Sequence, residues 1–546
     1  MPTVTATPEI FTSYGGWLVG VSGSSELGST TKLDGTVTNI TADVLTGEEN
    51  VELSYGINSG AGPLNRVAET GVLSFVLDNS ATNSHGQQGA YSPGHTNALA
   101  GWDIGNVIEL RITYGDPAVT YYKFVGNISS VAPLAGRHRN QTVQCIAVDW
   151  MDEAAITKVK SVTVQSNKRS DELVKLLVDE AVTVPPKATS YAEGRSTFVT
   201  SFDNLLDAQT SVLRALYDCV ISELGYLYIK GDTATGGVLT FEDRYARPKT
   251  GAAVGSFDNT MTGLDVTRGR DGIINTSYVV VHPRTTDAST SVLYELTTTD
   301  STPSIPPSST ITINCPYREA SINAYRVAAA TIVTPVSGTD WVANSASDGT
   351  GTNLTSDVSV TVKTQAANAV DLELVNNSIS DTVYLTTLQV RGTAIRDVTS
   401  TVMSATDELS IRTYGERDSR VDMKYESNAG EFGNEIANWI LNIYKDPRYF
   451  VNSFQLSSNS SDYMMTQSLA REPGDKITFA ETMTGIVESS SGVEVGYFIN
   501  GVRISIGAGD VITTNWVLAP ATATQAWVLD QVTSSELGIT TNLGFA

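Results

Sequence analysis

Period-two hydrophobic alternation constrains this chain more tightly than any other feature of its sequence. Val51, Leu53 and Tyr55 alternate with Glu52 and Ser54; Leu73, Phe75 and Leu77 alternate with Ser74 and Val76; Ile108, Leu110, Ile112 and Tyr114 alternate with Glu109, Arg111 and Thr113. Successive side chains on a strand point to opposite faces, so each run predicts a half-buried antiparallel strand. Turn chemistry separates the runs: HGQQGAYSP at 85–93 and GDP at 115–117, where glycine accepts positive φ and proline fixes φ. A first β-barrel or sandwich is expected to end near Lys160.

The period then changes. Ser170 is positioned to cap a helix whose first turn carries Asp171 and Glu172, with Leu173, Leu176, Leu177 and Ala181 on one face and a stop at Val184, Pro185 and Pro186. Val212, Leu213, Leu216, Val220 and Leu224 predict a second helix, with Gly225 as its C′ residue. YLYIK at 226–230 and VLTFE at 238–242 flank a turn and predict a hairpin, giving a small α/β unit.

STPSIPPSST at 301–310 reads as a linker or exposed loop. Beyond it, short alternating runs around Val358, Leu372, Val383 and Val390 predict a β-sandwich inserted into a middle domain. A third helix there presents Phe432, Ile436, Trp439, Ile440 and Ile443 and ends before Pro447. The expected fold is mainly β, α+β overall, and multidomain: an N-terminal barrel over 1–160, a small α/β domain over 161–265, a middle domain over 266–327 and 396–446, an inserted sandwich over 328–395, and a second, related barrel over 447–546.

The first and last regions share a rhythm. GNVIEL at 105–110, YKFVGN at 122–127 and TVQCIAVD at 142–149 are matched in order by GDKITF at 474–479, YFINGVR at 497–503 and TNWVLAP at 514–520. Any two antiparallel meanders share some of this, so the match is weighed against chance likeness.

Composition narrows the function. Across 546 residues, 35 Lys and Arg stand against 59 Asp and Glu, a formal charge of −24, which repels phosphate backbones and disfavours a nucleic-acid-wrapping protein. Cys145, Cys219 and Cys315 are far apart and odd in number, so neither a disulfide framework nor a CxxC metal site is expected. No Lys or Arg precedes Lys32 and no apolar run reaches membrane-spanning length, so a soluble protein assembled in the cytoplasm is expected.

Motifs whose spacing has a mechanical reason, such as HExxH, Walker A, GxGxxG and GxSxG, are missing. No catalytic, cofactor-binding or metal-binding residue is therefore assigned, and no cofactor is expected. The candidates weighed are weak. His85 and His95 share a Gly/Pro loop and read as loop histidines before a metal pair, and His282 precedes Pro283 at a strand end. Asp149, Asp152 and Glu153 beside Trp150 form the densest carboxylate cluster, the minimum a glycosidase needs, but Asp also favours the turn after a strand. Cys219 reads as core; Arg137, His138 and Arg139 read as a solvated hairpin tip. Trp102, Trp150, Trp439 and Trp516 follow strand or helix patterns and read as core rather than sugar platforms.

Asp43 and Val44 before a strand, GVLSFVLDN at 71–79 before a Gly/Pro loop, GNVIEL and KFVGN resemble the N-terminal barrel of tail-tip hub proteins of long-tailed bacteriophages, the siphophage minor tail or baseplate hub proteins. ELGYLYIKGDTATGGVLTFEDR at 223–244 is similar to that family's helix, hairpin and strand end. Pro447, Arg448, GDKITF, YFING and WVL at 516–518 are similar to its last domain, and VYLTTLQVRG at 383–392 to the closing strands of its inserted sandwich. The resemblance implies a structural virion protein and no enzyme: a homotrimer whose two barrels per chain make a six-unit ring. That ring adapts the sixfold tail tube to a threefold tip. Implied partners are a distal tail protein or tube above, tip, fibre or receptor-binding proteins below, and tape-measure protein and DNA in the channel. The end at Ala546 fits a bare hub. Two other readings remain: a host-surface carbohydrate-binding tail protein, motivated by exposed-loop aromatics such as Tyr91 and by the inserted sandwich, and a carboxylate-dependent cell-wall glycosidase.

Overall fold

The computed structural model describes residues 4–14, 36–47, 49–59, 62, 65–135, 141–249, 252–258, 261–270, 272–296, 302–319, 322, 325–397, 399–447, 449–480, 484, 486, 496–521, 525–526 and 541–542. The fold is mainly β and multidomain. Thirteen strands form one sheet. From one end run Gly263–Arg268, Tyr449–Ser457, Val511–Pro520 and Gly496–Gly507; these continue into Val51–Gly56, Val72–Asp78, Thr142–Val148, Val119–Pro133, Val107–Tyr114, Thr7–Tyr14 and Thr36–Asn39. Lys476–Phe479 branches from Gly496–Gly507 and also pairs with Gly255–Phe257.

The expected strands are present, but their assembly differs from two separate barrels. Among the described residues the first and last regions are hydrogen-bonded into this one open sheet, with no closed barrel, and one hydrophobic core runs from Ile10 and Leu53 to Trp516 and Leu518. Alternation reports which face of a strand is buried; it carries no information about which strand satisfies the edge N–H and C=O groups.

The α/β unit packs helices Ser170–Ala181 and Val212–Glu223 against the hairpin Tyr226–Lys230 and Val238–Glu242, around Leu173, Leu177, Leu216, Leu227 and Phe241. Two cap details differ from expectation. Ser170 is buried and donates to Glu223 Oε2 at 3.0 Å, while Arg169 occupies the cap position and its N–H donates to Glu172 Oε2 at 2.9 Å. The left-handed residue ending the second helix is Leu224, at φ 58°; Gly225 is needed because a Cβ there would stand 2.4 Å from the carbonyl of Glu242.

In the middle domain Thr276–Val281 pairs with Thr401–Thr406 and Asp418–Met423, covered by helix Asn434–Tyr444 through Ile436, Ala437, Ile440 and Leu441. The sandwich core includes Leu293, Ile305 and Cys315 as well as Trp341, Leu372 and Leu388. Strands Ser291–Glu295, Ser304–Ile305 and Thr310–Pro316 therefore belong to it, upstream of residue 328. The Pro/Ser/Thr-rich segment hides two of these strands because alternate positions of Thr310–Pro316 face solvent and only Cys315 is fully covered. Among the described residues no helix is long and apolar enough to cross a membrane.

Candidate functional site

The weak sequence rhythm corresponds to a backbone repeat. The Gly105 N–H donates to the Ile128 carbonyl at 2.8 Å and the Ile128 N–H to Asn106 at 2.9 Å; the Gly474 N–H donates to Ile499 at 2.8 Å and the Ile499 N–H to Asp475 at 2.9 Å. Both glycines hold positive φ, +89° and +96°, which an L side chain resists. Val107, Ile108 and Glu109 then face Asn127, Gly126 and Val125, as Lys476, Ile477 and Thr478 face Phe498, Tyr497 and Gly496. Each second strand carries a bulge at the same step, between Ile128 and Ser130 and between Ile499 and Gly501. Beyond it Val131 faces Cys145, which faces Phe75; Val502 faces Trp516, which faces Phe454. The fifth strands also correspond, with Glu52 against Ser74 and Asp265 against Ser453.

Two five-strand units thus share one hydrogen-bond plan. GNVIEL and GDKITF are matched in register, whereas pairing YKFVGN with YFINGVR is four residues out: Gly126 corresponds to Tyr497, and Gly501 to Ser130. The glycines mislead because they answer different crowding. A Cβ on Gly126 would stand 2.2 Å from the Val148 carbonyl, and one on Gly501 2.6 Å from Asn58 Oδ1.

The units meet at a seam. Val51–Gly56 runs antiparallel to 501–506, with Leu53 opposite Ile504 and Gly56 opposite Gly501. Gly56 has φ +88°, and a Cβ on it would stand 2.5 Å from the Asn500 carbonyl, which accepts from the Ile57 N–H at 2.8 Å. Beside the seam Glu472 gathers groups from three regions: the buried ammonium of Lys123, the Tyr55 hydroxyl at 2.8 Å and the Gly231 N–H at 3.0 Å. Lys123 also donates to the Leu469 carbonyl at 3.1 Å. Burial first, then Glu472, pushes the Tyr55 phenol well above its ordinary pKa, so it remains a donor. No motif announced Lys123 or Glu472; the only hint was a lysine at an inward-facing position of an aromatic strand.

Most of the described residues weighed as catalytic or binding groups have structural partners. Asp149 caps helix Trp150–Ile156, its Oδ1 accepting from the Met151 N–H at 3.0 Å, and burial pushes its carboxyl up to about 7. Its other oxygen lies against Gly71, where a Cβ would stand 2.4 Å away. Glu153 accepts from the Thr157 hydroxyl at 2.8 Å, and Asp152 is half-buried in the same first turn. Tyr91, expected as an exposed aromatic, is fully buried. Its hydroxyl donates to Asp43 at 2.5 Å and its ring meets Trp102 edge-on at 5.2 Å, so it offers no sugar-stacking face. The Tyr91 carbonyl accepts from the Trp102 indole at 3.0 Å, and the His85 ring packs on Tyr91 at 5.8 Å. The His95 ring lies against Gly89. His282 Nε2 lies 2.5 Å from Asp422 at the end of its strand. Cys145, Cys219 and Cys315 are buried free thiols. Trp102, Trp150 and Trp516 are buried, while Trp439 is only partly so. Arg137, His138 and Arg139 lie outside the described residues. Among the described residues no group of three His, Cys, Asp or Glu side chains is placed to hold a metal ion.

No family model and no curated protein matches the chain. Among solved structures it is similar to the tail protein from Neisseria meningitidis MC58, at 9% identity over 94% of this chain and 96% of that one, with a TM-score of 0.44. It is also similar to the 43 kDa tail protein of prophage MuSo2 from Shewanella oneidensis, at 8% identity over 94% and 98%, TM-score 0.43. A prophage tail protein from Listeria monocytogenes stands at 7% identity over 93% and 94%, TM-score 0.39.

Proposed function

We propose that this chain is a structural virion protein, a homotrimeric tail-tip hub surrounding the DNA channel. The observation that carries this reading is the seam between two register-matched units. Val51–Gly56 corresponds to Gly263–Arg268 in the other unit, and Gly496–Gly507 to Val119–Pro133, so the seam joins unlike edges. Such a heterologous contact, repeated, closes into a ring or runs on as a filament. Three chains supply six units, the number that joins a sixfold tube to a threefold tip, and the ordered hub-like motifs in the sequence support the same reading. On it, the protein resides at the virion tail tip after assembly in the host cytoplasm. Its partners are a distal tail protein or tube above, tip, fibre or receptor-binding proteins below, and tape-measure protein and DNA transiently in the lumen.

The charge of −24 then has a use: acidic groups on the lumen wall keep DNA mobile by repulsion. Imaging tails that carry a tagged copy of the protein tests the assignment. Density at a threefold tip is expected; virions that lack the protein, or a strict monomer without tail association, would overturn it.

A further inference from the structure

Where the first region, the α/β unit, the middle helix and the last region meet, a cavity of about 60 Å³ is walled by three arginines and several aromatic rings. Arg66, Arg244 and Arg247 are all at least nine-tenths buried. Arg247 is held flat, 3.5 Å from the Tyr226 ring centroid, with Nε on Glu242 at 3.0 Å and Nη1 on Asn500 Oδ1 at 2.6 Å. Its Nη2 is buried without a partner. Arg244 pairs through Nη1 with Glu223 at 3.1 Å and Ser196 Oγ at 2.8 Å, and its Nε is likewise buried without a partner. Arg66 adds a third guanidinium, donating to the Leu224 carbonyl at 2.6 Å and standing over Tyr226 and Trp439.

Two arginines that line one cavity each keep a buried donor without a partner, which asks for an explanation, because charged groups withdrawn from water are ordinarily paired and hydrogen-bonded. We propose that this cavity binds a carboxylate. A planar carboxylate lies flush with a guanidinium clamped between rings and offers two oxygens to two donors, the geometry for which arginine is suited. The room is several times the roughly 10–15 Å³ that a single water needs, enough for a carboxylate head. The same chemistry is available from a free small carboxylate or from an Asp or Glu side chain inserted by a neighbouring copy. The proposal does not depend on the hub reading.

The test uses the full-length protein, titrated with sodium acetate against sodium chloride at fixed pH and ionic strength, following Tm and native mass. A saturable rise in Tm with acetate and not with chloride is expected, at unchanged mass if the group is a free carboxylate. If a neighbour's acid occupies the cavity, acetate competes and lowers the mass. Arg247→Met removes the response. Because it also strands Glu242, Ala519→Leu is the companion variant, narrowing the cavity from its wall while leaving the arginine pairs intact, and it too abolishes the response. Acetate and chloride curves that coincide, with Ala519→Leu leaving Tm and mass as in the parent, would overturn the proposal. A larger shift from phosphate than from acetate would overturn the carboxylate assignment.

Discussion

The two five-strand units share a backbone plan and fill it differently. Where the first unit has Cys145, Leu110 and Gly126, the last has Trp516, Phe479 and Tyr497. In the last unit Phe257, Phe454 and Phe479 form an aromatic cluster with centroids 4.8 to 6.3 Å apart, and Trp516 packs on Phe257 at 5.6 Å. In the first unit Tyr91 and Trp102, delivered by the loop after Val72–Asp78, supply much of the aromatic bulk instead. What repeats is hydrogen-bond register, a bulge and one positive-φ glycine per unit. Core composition is free to drift provided volume is filled.

If the seam rather than either unit holds the regions together, breaking its charge cluster has the largest effect. Glu472→Gln keeps acceptors for Tyr55 and Gly231 but leaves the Lys123 ammonium buried and uncompensated, a loss of about 3–5 kcal/mol in denaturant unfolding. Lys175→Ala, which breaks an exposed helix-surface pair with Asp179, leaves unfolding unchanged. The unequal filling predicts that Trp516→Ala costs about 3–5 kcal/mol while Cys145→Ala at the matching position costs about 1 kcal/mol. Equal losses in the same unfolding assay would break the comparison.

The matching glycines sharpen it further. Gly105→Ala meets nothing within 4 Å and costs only the backbone strain of positive φ, about 1–2 kcal/mol. At Gly474 the new methyl would stand 2.4 Å from the Tyr228 hydroxyl, adding about 1–3 kcal/mol. A separate effect concerns pH. Burial raises the Asp149 carboxyl to about 7 in the folded protein, so the native state holds a proton the unfolded chain releases near 4. Stability from this group is full below pH 4 and falls by at most about 1.4 kcal/mol per pH unit until about pH 7. Asp149→Asn removes that slope, which unfolding curves between pH 4 and 8 will reveal.

Strands, helices and the hairpin were legible because alternation and 3.6-residue periodicity are local. The repeat was legible in outline, since Gly105 and Gly474 each open a strand, yet its register was not, because Gly126 and Gly501 sit at unlike positions. Tyr91 misled because a Gly/Pro-rich segment reads as exposed, whereas Asp43, distant in sequence, buries its hydroxyl. The seam and the arginine cavity were invisible: Lys123 with Glu472, and Arg247 with Asn500, are partners hundreds of residues apart that no spacing rule connects.

The most direct test of the head-to-tail account is imaging of the purified full-length protein, averaged without imposed symmetry, alongside its native mass. Three chains arranged as a ring of six similar lobes around a channel is the predicted result. A monomer, or a dimer whose units meet through like edges about a twofold axis, would contradict it.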